Sequence, residues 1–506
     1  MRAMIAAGLG LALLAGAAQA AGPGTGGTLR IGLAEDPDPL DPATSAFYVG
    51  RIVFAALCDK LIDLDPALSF VPQLATAWSW SADNLALTVT LREGVKFHDG
   101  EPMDAEAVRI NLERYRSAPE SVRKGELRPV TAVEVIDPAH LRLRLSVPYA
   151  PLVAVLADRA GMMLSPKALA RMGREIGTAP VCAGPFKFAE RVAQQRIVLE
   201  RFPGYWDAGR VALDRIVYAP VPDTTVRLVN LQAGQFDLIE RMAPSDAAAV
   251  QKNPRLRFVS SPSIAYFGLF FNLANGARSD NPLGRDPRVR AAFEKSLDRV
   301  ALNQVAFDGQ FVPNNQVESP GTRYWDPDYP VPARDLAGAR ALLQAAGIER
   351  LTVALQVYAS PPAQQLGELI QAMAGEAGFD VKLESMEANA ANAADLRGDY
   401  QIATGIWSGR PDPDGNLAIW LASDGFLNWG KYRNPELDGL LAQARQVTDV
   451  GQRQVGYRKI TDIFMRDRPF IVLYHQRWLF GLSERVAGFV PVPDGLIRPQ
   501  GVTLKD

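Results

Sequence analysis

The stretch Trp407-Ser408-Gly409-Arg410-Pro411-Asp412-Pro413-Asp414 places a guanidinium, two carboxylates and an indole side by side. Two prolines, with glycines at 409 and 415, exclude a continuing helix or central strand, so the segment is a shaped loop. Its chemistry is recognition rather than bond making. A guanidinium grips a carboxylate with two parallel hydrogen bonds. An aspartate accepts an ammonium, and an indole offers a flat apolar face. The expectation is that Arg410 holds a carboxylate, Asp412 or Asp414 holds an amine, and Trp407 packs on the body of the ligand. The alternatives are local: Asp414 caps a helix over 416–421, and Arg410 bridges to Asp412 as an ordinary surface pair. Trp407, Arg410 and Asp412 are taken as ligand contacts, and Asp414 as the cap.

Residues for catalysis or metal binding do not assemble in the same way. The three histidines, His98, His140 and His475, fall in no HExxH or similar ligand spacing. No GxSxG elbow or phosphate loop occurs. Ser121-Val122-Arg123-Lys124 matches SxxK and Ser279-Asp280-Asn281 matches SDN, but the KTG that completes a penicillin-recognising serine site is missing. A secreted serine hydrolase using Ser121 and Lys124 is the reading from another class. The sequence calls for no catalytic residue, metal or cofactor.

The elements that must carry the loop form an α/β pattern. Strand-like alternation over 28–33, 85–91, 130–136 and 140–146 gives the early part an α+β character. From 333 to 407, helix and strand alternate, which predicts an open, largely parallel sheet ending at the loop. The segment 289–302 reads as one helix, capped by Asp286-Pro287, and 264–272 as an aromatic strand. The 506 residues are 48% hydrophobic with a net charge of −2, a globular balance without the basic surface of a nucleic-acid protein. The first twenty residues form an export leader, with a positive end, an apolar stretch and an Ala18-Gln19-Ala20 cleavage pattern. Cleavage is expected after Ala20, with no cysteine there to carry a lipid anchor. In an oxidising compartment Cys58 and Cys182 are read as a disulfide, against the alternative of two buried thiols.

Longer runs carry a family likeness. LREGVKFHDGEPMDAEAV (91–108) resembles the signature of the extracellular solute-binding proteins of family 5, the peptide- and nickel-type receptors of ABC importers. PQLATAWSW (72–80), CAGPFKF and RIVLERFPGYWD (182–207), DPRVRAAFEKSLDR (286–299), ARALLQAAG (339–347), YRNPELDGLLAQAR (432–445) and RDRPFIVLY (466–474) follow in the family's order. The resemblance implies a two-lobe periplasmic-binding-protein fold of the cluster C type. Lobe one would be 21–265 with 478–506, including an extra subdomain over about 65–175, and lobe two 266–477. It further implies a monomeric periplasmic receptor that closes over a small molecule or short peptide and delivers it to an inner-membrane permease. In the family's peptide receptors an aspartate in the loop after a Gly-x-Trp strand holds the peptide's amino end; Gly405-Ile406-Trp407 carries that part over. Tyr266 and Phe267, on the crossover between lobes, and Phe47 and Tyr48, after the Asp/Pro loop, are further ligand candidates. Nickel chelates, glutathione, opines and sugars are alternative ligands within the family.

Overall fold

The computed structural model describes residues 26–505, the side chains of 388 and 389 excepted. The leader and its cleavage after Ala20 lie outside the described residues. The fold is mixed α/β, organised on an eleven-stranded sheet. Its two central members are the long strands Leu256–Phe271 and Phe470–Ser483, which run antiparallel to each other.

On one side of this pair the sheet continues through Ile402–Trp407, Leu351–Tyr358 and Phe379–Met386. Leu351–Tyr358 pairs in parallel with both of its neighbours, as the helix–strand alternation predicts. On the other side it continues through Leu238–Ile239, Thr28–Leu33, Arg215–Pro220, Arg196–Arg201 and Phe186–Val192. Hydrophobic side chains segregate accordingly. One core draws on residues 29–265 together with 478–504, and others on residues 266–474. A further core, spanning 43–183, packs the helix Ala105–Ser117 against a separate four-stranded antiparallel sheet of Ala75–Trp80, Ala86–Leu91, His140–Leu145 and Val130–Asp137. Asp104 caps that helix by accepting from the Ala107 amide at 2.9 Å.

The two long strands keep register except near Pro262 to Gly268. A proline has no amide to give to a ladder, so a bulge there is the physical outcome. The single helix expected over 289–302 is in fact two, Pro287–Lys295 and Arg299–Phe307. The Asp298 carboxylate caps the second, accepting from the Ala301 amide at 2.9 Å. Helix Ala388–Arg397 was not anticipated; its alanine-rich sequence has little amphipathic contrast.

Cys58 and Cys182 form a disulfide with Cα atoms 4.9 Å apart. It joins the end of helix Tyr48–Leu57 to the segment entering strand Phe186–Val192. His98 lies beside it: its Nδ1 accepts from the Cys182 amide at 3.2 Å, and its Nε2 donates to the Gly184 carbonyl at 3.1 Å. Burial holds His98 neutral, with its pKa lowered to about 4.

Candidate functional site

Strand Ile402–Trp407 pairs Trp407 with Tyr266 on the crossing strand and so delivers the loop to the bulged region. Gly409 has φ +78°, and a Cβ there would lie 2.3 Å from the Ile264 carbonyl oxygen. Glycine therefore lets the loop lie directly against the crossing strand.

Each charged residue of the loop then finds a partner far away in sequence. Arg453 donates to both oxygens of Asp412, at 2.6 and 2.8 Å, and both side chains are buried. Burial opposes the charge on Arg453, but the bonds to Asp412 outweigh it and raise its pKa. Arg445 donates to Asp414 at 2.6 Å. The expected cap is corrected here. Helix Asp414–Leu421 has Pro413 at its cap position with no side-chain bond, and it is Asp412 Oδ1 that accepts the Asp414 amide, at 3.0 Å.

Asn416, in the first turn of that helix, ties the site together. Its Oδ1 accepts from the Arg410 amide at 2.7 Å and from Trp407 Nε1 at 3.2 Å. Its Nδ2 donates to the Arg410 carbonyl at 2.9 Å and to Glu318 at 3.0 Å. Arg410 lies over the Trp407 ring, 4.5 Å from its centroid.

The local bridge from Arg410 to Asp412 is absent. Arg410 reaches instead to Asp158, with Nε 3.3 Å from Oδ2. Asp158 already accepts from Arg51 at 3.0 Å. Burial pushes the Asp158 pKa up, but Arg51, Arg410, Arg159 and Arg123 overcome it and hold the group well below the usual carboxylate range. The guanidiniums feel the converse. Burial and the neighbouring Arg123 lower Arg159 to about 9, and burial lowers Arg410 to about 10 despite Asp158. Arg51 and Arg159 each keep one buried nitrogen without a hydrogen-bond acceptor, though Arg159 Nε lies 3.8 Å from Asp158. Glu126 pairs with Arg123 at 2.7 Å and Asp494 acts on Arg51, so four guanidiniums here meet three carboxylates.

A cavity of about 470 Å³ opens beside it. Arg410, Asp412, Arg453, Glu318 and Tyr324 line it from one side of the chain, and Phe70, Trp78, Trp80 and Val153 from the other. Nearby, the Ala150 amide donates to the Arg445 carbonyl at 2.7 Å, which closes one end. A more open hollow of about 450 Å³ between the ends of helices Leu336–Ala345 and Pro361–Gly375 lies apart from all these groups.

Of the residues expected to touch ligand, Arg410 and Asp412 line the cavity and Trp407 supports Arg410 from behind. Tyr266 and Phe267 are corrected to core positions. Tyr266 is wholly buried and donates its hydroxyl to the Asn416 carbonyl at 2.9 Å, while Phe267 stacks on Tyr474 at 5.1 Å. Their strand has paired neighbours on both edges and covered faces, which is where aromatic rings pack. Tyr48 stacks on Trp478 at 4.9 Å and does not line the cavity. Phe47 is half exposed beside Arg159, whose guanidinium donates to the Phe47 carbonyl at 3.4 Å, also off the cavity.

Ser121 Oγ donates to the Tyr115 carbonyl at 2.7 Å and Lys124 Nζ to the Pro119 carbonyl at 2.9 Å, so the two do not form a nucleophile–base pair. His475 is buried and donates from Nε2 to the Gln316 carbonyl at 3.1 Å; burial lowers its pKa to about 4. Sequence reasoning missed Asp158, Glu318 and Asn416. The nearest signal was the Asp-x-Asp-x-Asn spacing at 412–416, which sets three polar side chains on one short turn.

Comparison with known proteins agrees with this architecture. The model of the bacterial extracellular solute-binding proteins, family 5 Middle, matches residues 69–428. The glutathione-binding protein GsiB of Pectobacterium atrosepticum is 30% identical, over 92% of each chain. The periplasmic binding protein DppA of Helicobacter pylori, in complex with the peptide STSA, superposes with a TM-score of 0.84 at 24% identity, over 95% of this chain and 99% of that one. AgaA of A. tumefacien R10, in complex with agropinic acid, gives a TM-score of 0.82 at 25% identity over the same shares.

Proposed function

Because this chain belongs to the bacterial extracellular solute-binding proteins of family 5, we propose that it is the periplasmic receptor of an ABC importer for short peptides or related amine-bearing solutes. It works as a monomer, released from its leader after Ala20, and performs no chemistry on its cargo. Of the expected lobes, 21–265 with 478–506 and 266–477, the described parts 26–265 with 478–505 make up one and 266–477 the other, joined through the two long strands; the solute is held between them and passed to the inner-membrane permease.

The observation that carries this reading is the cavity itself. Its walls come from residues 66–80 and 150–153 on one side and from 318–324 and 410–453 on the other, and Arg410, on its lining, pairs with Asp158 beyond it. Peptides and glutathione, bound by the relatives above, share a free amine and a carboxylate. Arg410, backed by Trp407 and set in a wall rich in guanidinium, takes the carboxylate. Asp412 shapes this face through Arg453 rather than by meeting the amine. Water leaves the closed cleft, so each charge pair inside it strengthens.

A thermal-shift and calorimetric screen of the mature protein tests the reading, using di- and tripeptides, glutathione, single amino acids, sugars and nickel chelates. A ligand at a thousand times its Kd adds about 4 kcal/mol of apparent stability. Stabilisation by peptides or glutathione is expected. Stabilisation by sugars or nickel chelates alone would overturn the substrate class and leave the receptor.

A further inference from the structure

We propose that Glu318 is the acceptor for the cationic amine of the captured solute. This deepens the reading above and rests on it. Five charged side chains line the cavity: Glu318, Arg323, Arg410, Asp412 and Arg453. Asp412 and Arg453 clasp each other, and Arg410 is directed to Asp158. Arg323 is exposed and forms no ion pair with Glu318. Among the described residues Glu318 therefore forms no ion pair, and Arg453, clasped by Asp412, acts on it only from a distance. One carboxylate oxygen is held by Asn416 Nδ2 at 3.0 Å; the other has no hydrogen-bond donor.

A half-buried carboxylate that forms no ion pair carries a desolvation cost, and this one responds accordingly. Burial, the largest influence, raises its pKa to about 7; the Asn416 bond opposes the rise, Asp412 adds to it and Arg453 opposes it. A cation entering the cavity restores the ionised form. Several features make that cation an amine rather than a metal ion. Glu318 offers one free oxygen, and no group of three His, Cys, Asp or Glu residues suited to a metal occurs among the described residues. Aromatic rings of Phe70, Trp78, Trp80 and Tyr324 share the cavity, and ring faces attract organic cations.

The carboxylate is also held in place before any ligand arrives. Asn314 Nδ2 donates to the Glu318 carbonyl at 2.9 Å, and Gln316 Nε2 to the Asp326 carbonyl at 2.7 Å. These bonds fix the loop from within, so little ordering remains to oppose binding. Asn416 joins Glu318 to the backbone of Arg410, so the acceptor for the amine end and the donor for the carboxylate end of a zwitterion share one amide.

The test is calorimetry with two matched pairs: Ala-Leu against propionyl-Leu, which lacks only the amine, and glutathione against N-acetylglutathione. Wild-type protein is expected to prefer the free amine of at least one pair by about tenfold or more. That preference should weaken as pH falls from 8 to 5.5, because protonated Glu318 no longer attracts a cation. Glu318→Gln keeps the side-chain shape and should abolish both the preference and its pH dependence, while propionyl-Leu or N-acetylglutathione binds as before. An undiminished amine preference in Glu318→Gln overturns the role of Glu318 and leaves the amine-solute reading standing. A wild-type protein with no amine preference in either pair overturns that reading, and this assignment with it. Should Glu318→Gln fail to fold, the wild-type pH profile decides: an amine preference unchanged between pH 8 and 5.5 overturns the proposal.

Discussion

Replacing Asp412 by asparagine separates the two roles that a loop carboxylate can have in this cleft. Asp412 and Arg453 expose only 7% and 5% of their surfaces, and the pair is bidentate at 2.6 and 2.8 Å. Asparagine keeps the volume but removes the charge and turns an amide donor toward the guanidinium. Arg453 then remains buried without a counter-charge, with one amide oxygen at 412, the Ala444 carbonyl and the hydroxyls of Tyr324 and Tyr457 to receive its hydrogens. Breaking one side of a buried pair in this way costs about 3–5 kcal/mol. In a protein of this size that corresponds to a fall in Tm of about 3–5 °C. The Asp412→Leu/Arg453→Met pair removes both charges and should recover most of the loss, less about 1 kcal/mol for the lost bond to the Asp414 amide. Thermal melts of the three variants and wild type, followed by calorimetry on the folded fraction, complete the experiment. An Asp412→Asn protein with unchanged Tm but no preference for amine-bearing ligands would refute the reasoning, because Asp412 would then be a ligand contact and not a clasp.

Other outcomes follow from the same geometry. Arg410→Ala should weaken binding of carboxylate-bearing ligands about tenfold or more in calorimetric titrations, with little change in Tm, since Asp158 keeps Arg51 as partner. Trp407→Ala should act in the same direction but less, about fivefold, because it removes only the face behind Arg410. Asp395 is fully buried with Gln356 as its hydrogen-bond donor, and burial raises its pKa to about 7. A raised folded-state pKa means stability present near pH 4 and lost as pH rises through about 7. Asp395→Asn should therefore raise Tm at pH 8 and leave it nearly unchanged at pH 4; a larger gain at pH 4 would contradict the assignment. Cys58→Ser/Cys182→Ser should lower stability by about 2–5 kcal/mol in denaturant titrations of the ligand-free protein.

How far the sequence spoke depended on the range of each interaction. The loop at 407–416 was legible because proline, glycine and aspartate act on their own backbone. Its partners were not. Arg453 sits 41 residues beyond Asp412, and no local pattern says which arginine folds back on which aspartate. Glu318 directly follows the uncharged run Pro313-Asn314-Asn315-Gln316-Val317, where a lone acid reads as an exposed loop residue. The crossing strand shows the opposite difficulty. Ser260-Ser261-Pro262-Ser263 carries the composition of a loop, so the strand seemed to start at Ile264; its neighbours on the sheet hold it extended from Leu256 and absorb the proline as a bulge. The same pairing on both edges puts Tyr266 and Phe267 in the core, although their place at the crossover matched a ligand site.

On the function proposed above, charge balance would make closing and recognising one event. Drawing the chain together brings Arg410 to an aspartate already bordered by Arg51, Arg159 and Arg123. Closure alone thus concentrates positive charge at the wall while Glu318 stays unpaired in the cavity. Both costs grow as water is excluded. A solute with an anionic end and a cationic end would, under the proposed roles of Arg410 and Glu318, relieve both at once. A singly charged or neutral solute of the same size relieves at most one. The closed state is then favoured by the differential affinity such a solute has for it. Discrimination arises as much from the two imbalances left without it as from the contacts it makes.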